Sequence, residues 1–81
     1  MRVRHSLRLK ATLAKMPPVI QKKFYKQVNF LKYNLLHPSL RAKKHDESSD
    51  TWQARVDKGI RFYFKIEQDV IVLLNIKKHP K

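Results

Sequence analysis

The apolar residues of this chain change their period once, and that change decides which class of fold is open to it. Ile20, Phe24, Val28, Leu31 and Leu35 recur at steps of four, four, three and four, the spacing of one continuous helix face. From Trp52 onward the pattern alternates instead. Trp52, Ala54 and Val56 fall on one side of an extended chain, followed by Ile60, Phe62, Phe64 and Ile66, which is the period of a strand. A chain of 81 residues has room for one such division around one core, because domains shorter than roughly 100 residues rarely split. The expectation is a single α+β domain over residues 1–81, helices first and sheet second.

Local signals set the element boundaries. Ser6 can cap a helix in which Leu7, Ala11 and Ala14 follow at helical spacing, with Leu9, Leu13 and Met16 on an adjoining stripe. Met16-Pro17-Pro18 ends it, since a residue before proline avoids the helical region. Pro18 then suits the first turn of a second helix, with Lys22, Lys23, Lys26 and Lys32 off its apolar stripe. Residues 6–35 therefore read as an N-terminal antiparallel helical hairpin. Residues 36–51 read as a basic loop, punctuated by Pro38 and the polar run from His45 to Asp50. Residues 52–77 read as a small antiparallel β-meander packed on the hairpin, with turns at Lys58-Gly59 and Glu67-Gln68-Asp69. A short first strand at Arg2 to His5 would raise the count from three strands to four. Val70 to Ile76 is apolar on both faces, as in a covered strand.

Charge narrows the partners. The chain carries 19 Lys and Arg against 6 Asp and Glu, a formal +13, and its first 45 residues hold 12 of the basic residues and no acid. Such a field attracts polyanions and weakens with salt. Membrane surfaces fit less well, because the helices need their apolar faces for the core. Without cysteine there are no disulfides or thiolate metal sites. The separations of His37, His45 and His79 match no metal-ligand pattern, and one glycine cannot build a phosphate-cradling loop, so neither metal nor cofactor is expected. No apolar run is long enough for a membrane span or a signal peptide. The expected setting is soluble and cytoplasmic.

Two arginines stand out within the strands. Alternation places Arg55 and Arg61 together on the sheet face away from the helices, as neighbours across a hairpin. Like charges at such positions cost stability, so either an anion fills the gap or each arginine pairs with a nearby acid, Asp57 or Asp50. Trp52, which could stack on a base, shares the phase of Ala54 and Val56 and belongs with the core. Ser39, Ser48 and Ser49 suit turns and caps, with no histidine placed to activate them.

Several stretches resemble the RelE/ParE superfamily of bacterial toxins. They are His37-Pro38-Ser39-Leu40-Arg41-Ala42-Lys43-Lys44, Trp52-Gln53-Ala54-Arg55-Val56, Arg61-Phe62-Tyr63-Phe64, and the closing segments Asp69 to Leu74 and Ile76 to His79. Met16 to Phe30 is similar to the family's helical segment, so the likeness runs over residues 13–79. It implies the toxin of a type II toxin–antitoxin system, an endoribonuclease that cuts ribosome-bound mRNA without a metal and is neutralised by an antitoxin with an acidic peptide arm. By the same resemblance Arg55 and Arg61 stabilise the reacting phosphate and His79 transfers a proton, as an imidazole titrating near neutrality can. Lys43, Lys44, Arg41 and Lys78 would hold the RNA backbone. The sequence departs from the family at Gln53, where a lysine is frequent, and at Pro80-Lys81, where an aspartate and a terminal aromatic are usual. A ParE-like inhibitor of DNA gyrase and an inactive basic RNA-binding relative stay open as alternatives.

Overall fold

The computed structural model describes residues 1–78; His79, assigned a proton-transfer role above, lies outside the described residues. In chain order the elements are β1 (Arg2–His5), α1 (Leu7–Ala14), α2 (Pro18–Tyr33), a 3₁₀ turn (Pro38–Leu40), β2 (Lys43–Asp46), β3 (Thr51–Asp57), β4 (Ile60–Glu67) and β5 (Val70–Lys78). The strands form one mixed sheet in the order β1-β5-β4-β3-β2, with β1 parallel to β5 and every other pair antiparallel.

The α+β class and the meander hold, but the strand count rises to five. Part of the expected 36–51 loop is β2. Its sequence Lys-Lys-His-Asp has no apolar alternation, because it is a short edge strand whose backbone, rather than its side chains, joins β3. The N-terminal strand is present and lies along the far side of β5, which makes the sheet mixed. The helices do lie on the sheet, but the expected helical hairpin is not exact: a strand precedes it, and each helix packs mainly on the sheet rather than on the other helix. Helix α1 lies against β5, while α2 lies against β3 and the 3₁₀ turn. On α1 the buried stripe is Leu9 and Leu13 with Met16 partly covered, whereas Leu7 is 84% exposed.

Ser6 shows how the first turn of chain is fixed. Its Oγ accepts from Leu9 N at 3.1 Å, capping α1, and donates to Leu74 O at 3.0 Å, while its backbone N donates to Leu73 O at 3.1 Å. One residue thus ends β1, starts α1 and fastens both to β5. Ser6→Ala is expected to cost about 1 kcal/mol and to lower the melting temperature by roughly 4–8 °C, read by circular dichroism.

The core lies between the helices and one face of the sheet. Leu9, Phe24, Leu40, Phe62, Phe64, Ile71, Leu73 and Ile76 are all fully buried there. Phe24 meets Phe62 edge-on with ring centroids 5.3 Å apart. Trp52 stacks on Phe64 at 6.1 Å, partly buried against the core as its phase implies. The interior strand β5, flanked by β1 and β4, buries Val72 on the opposite face as well, in keeping with its two apolar faces. No helix among the described residues is long and apolar enough to cross a membrane.

Candidate functional site

The sheet face turned away from the helices carries the cations. Strand alternation puts Phe62 and Phe64 in the core and therefore turns Arg61, Tyr63 and Lys65 outward. Register then builds rows across the strands. Arg55 of β3 lies opposite Arg61 of β4, and Arg61 lies opposite Lys77 of β5. The next row is Lys43, Gln53, Tyr63 and Asn75, drawn from β2 through β5. Arg41, Lys43, Gln53 and Arg61 line a cleft of about 220 Å³ where these rows meet the end of the 3₁₀ turn. Arg41 reaches it from a left-handed backbone conformation, φ 45°, immediately after that turn.

Neither arginine is neutralised by an acid among the described residues. Asp57 sits 3.8 Å from Lys23, and Asp50 bonds Lys44. Arg61 instead directs Nη1 at the carbonyls of Asp57 (2.7 Å), Ile60 (3.2 Å) and Lys58 (3.3 Å), closing the β3–β4 turn. A guanidinium has five N–H donors in a planar fork, so this turn contact occupies one edge of it. The Arg55 Nε is buried with no hydrogen-bond partner among the described residues. Three like charges on adjacent strands, each neighbouring pair costing a few tenths to about 1 kcal/mol, make a surface suited to an anion with several oxygens.

Of the residues expected at the site, Arg41, Lys43, Arg55 and Arg61 are brought together on this face. Lys44 is not. One residue along β2 it turns to the other side, bonded to Asp50 with Nζ 5.1 Å from the centre of the Trp52 ring. Lys78 lies at the helix-side end of the sheet, bordering an open hollow with Lys23, Asp57, Lys58, Gly59 and Ile60. Lys77, Tyr63 and His45 were missed. Lys77 reaches the Arg61 row only because a β-bulge between Tyr63 and Phe64 shifts the β4–β5 register; counting back from the Glu67–Val70 turn would have set Ile76 opposite Arg61.

Gln27 holds the two sides of the cleft together from behind. It is buried at 7% exposure, and its Nε2 donates to Arg55 O at 2.8 Å and Ser39 O at 3.1 Å. Ser39 Oγ donates back to Gln27 Oε1 at 3.3 Å and lies 2.8 Å from His37 Nδ1. Contrary to the sequence expectation, a histidine does stand beside Ser39; the same Nδ1 accepts from Ser39 N at 3.2 Å, which makes the contact a cap of the 3₁₀ turn. The His37 ring stacks on Phe30 at 4.0 Å. Replacing the amide leaves two carbonyls without their donor, so Gln27→Leu is expected to cost about 1–3 kcal/mol. Amide hydrogen exchange should rise over residues 37–43 and β3 before it rises over β5.

No family model matches this sequence, and no curated protein matches it. Solved structures do match its shape. RelE from the archaeal RelE–RelB complex of Pyrococcus horikoshii OT3 superposes with a TM-score of 0.82 at 19% identity, covering 99% of this chain and 96% of that one. The YoeB dimer of Staphylococcus aureus gives 0.81 at 13% identity, covering 99% and 98%. A YoeB/ParE toxin from Agrobacterium tumefaciens gives 0.80 at 10% identity, covering 99% and 100%. The chain shares the fold of these RelE and YoeB toxin structures.

Proposed function

We propose that a chain with this fold and this cationic sheet face is the toxin of a toxin–antitoxin pair, an endoribonuclease acting on mRNA held by the ribosome. The observation that carries the reading is the row Arg55, Arg61 and Lys77, unpaired with acids among the described residues, beside a cleft lined by Arg41 and Lys43. RNA cleavage of this kind needs cations around a phosphate that becomes five-coordinate, and guanidinium groups supply them with their charge fixed. The ribose 2′-oxygen bonds to phosphorus, the bond from phosphorus to the 5′-oxygen breaks, and a 2′,3′-cyclic phosphate remains. The 2′-hydroxyl proton leaves to a base, and the departing 5′-oxygen gains a proton. His79 is assigned the proton transfer through its place in the resemblance, while Lys43 and Arg41 position the backbone. Lys44 and Lys78, on other faces, would contribute to long-range attraction of the RNA rather than to grip at the cleft.

The likeness to RelE in a RelE–RelB complex extends the reading to a partner. A protein of +13 net charge is complementary to an acidic antitoxin segment, and that segment would compete with RNA for the same face.

Inducing the gene and mapping mRNA 5′ ends on translating ribosomes tests the reading. New cuts within reading frames are expected, suppressed by co-expression of an acidic partner encoded beside the gene. Intact message together with trapped gyrase cleavage complexes in a supercoiling assay would replace it with the ParE-like alternative. Salt-sensitive RNA binding with no cutting would leave only a basic binding module.

A further inference from the structure

Beside the phosphate-binding row lies an aromatic residue that the core does not use. Tyr63 is on β4, between Arg61 and Lys65, and faces outward while Phe62 and Phe64 face in. Its ring centroid is 4.9 Å from that of His45, tilted at 60°, and Lys77 Nζ stands 5.5 Å from the ring centre. A solvent-facing sheet position needs no aromatic for stability, and this one is surrounded by cations and an imidazole. Gln53 lies next to Tyr63 in register, between it and Lys43, and lines the cleft. It is only 8% exposed, yet among the described residues its amide bonds no protein group, in contrast to Gln27, whose amide is fully engaged. An amide that lines a cleft with its hydrogen-bonding groups unused by the protein is open to a ligand there.

We infer that Tyr63 and Gln53 form a nucleobase-reading subsite next to the phosphate clamp, with Tyr63 and His45 as the stacking surface, Gln53 as the edge reader and adenine as the preferred base. The inference rests on the reading of this face as an RNA surface and adds to it the residues that select sequence. Rows two residues apart along a strand are separated by about 6.5–7 Å, so a backbone held on the arginine row places an unstacked base over the Tyr63 row. Stacking on an aromatic is tolerant of base identity. A carboxamide offers one donor and one acceptor side by side, the pattern that matches the N7 and N6 amino edge of adenine. Lys77 is exposed and free to swing from the Tyr63 ring to a phosphate as the base arrives.

The experiment uses the full chain and fluorescence anisotropy at fixed salt, with short single-stranded RNA analogues that carry 2′-O-methyl groups and cannot be cleaved. Four probes of equal charge are compared: oligoadenylate, oligouridylate, oligocytidylate and an abasic chain. Oligoadenylate is expected to bind about tenfold or more tightly than the abasic chain, in line with base–aromatic stacking. Tyr63→Leu should remove most of that excess without changing abasic binding, and Tyr63→Phe should keep it. Gln53→Leu should erase the preference for adenine over uracil while leaving stacking in place. Equal binding of oligoadenylate and the abasic chain by the unmodified protein overturns the subsite while the phosphate surface stands, and this comparison needs no variant. Binding to none of the probes removes the RNA surface itself. Full adenine preference in well-folded Tyr63→Leu and Gln53→Leu would also overturn the assignment.

Discussion

Arg61→Ala is expected to lower the cleavage of ribosome-bound message by about 10²–10³-fold, the loss typical of removing one preorganised charge donor from a transition state. Arg61 sits between Arg55 and Lys77 in register, so its removal leaves a gap in the middle of the cationic row rather than trimming its end. The side chain has a second task, since Nη1 ties three carbonyls of the β3–β4 turn. Turn and chemistry are separated by reading stability and rate together. Loss of the turn contacts should destabilise the protein by about 1–2 kcal/mol, too little to unfold it, whereas the rate falls far more. Arg61→Lys restores a point charge without the planar fork and should recover only part of the activity. If Arg55 and Arg61 grip the same phosphate, Arg55→Ala combined with Arg61→Ala will cost less than the two single losses added. A rate that falls only in step with the melting temperature would reduce Arg61 to a turn cap.

The residues that were legible in the sequence are those whose side chains report on a buried face. Phe24, Val28 and Leu31 marked α2 because one stripe of it is covered, and Phe62 and Phe64 marked β4 by alternation. From that alternation the pairing of Arg55 with Arg61 followed, and the register bears it out. What stayed hidden has a common cause. Strand β2 is held by backbone hydrogen bonds at a sheet edge and shows no apolar period in Lys43-Lys44-His45-Asp46. Lys43 and Lys44 looked equivalent as neighbours in a basic loop, but a strand sends neighbours to opposite faces. Their separate fates, one at the cleft and one on Asp50, follow from that alone. Gln27 was invisible for a different reason. It lies on the apolar face of α2 between Phe24 and Leu31, and only the structure shows which carbonyls lie opposite it.

Phe62→Ala is expected to be the most damaging single substitution for stability, at about 3–5 kcal/mol. Phe62 is fully buried, meets Phe24 edge-on at 5.3 Å and lies 5.8 Å from Phe64, and its register partners are Ala54 and Ile76. Ala54 is the small residue that leaves room for the ring, and it cannot expand to fill the space once the ring is gone. An 81-residue chain has a total stability on the order of 4–12 kcal/mol at typical values per residue, so the loss is a large share of it. The urea midpoint should drop steeply, with the slope unchanged if the transition stays two-state. Phe62→Leu retains most of the apolar volume and should cost markedly less. The functional consequence comes from position. Phe62 separates Arg61 from Tyr63 on β4, and its burial is what forces both of those side chains to the opposite face. Cavity formation beneath them should therefore lower RNA affinity under conditions where Phe62→Ala is still mostly folded, and a variant that kept full affinity there would show that the outer face is held by the strand backbone alone.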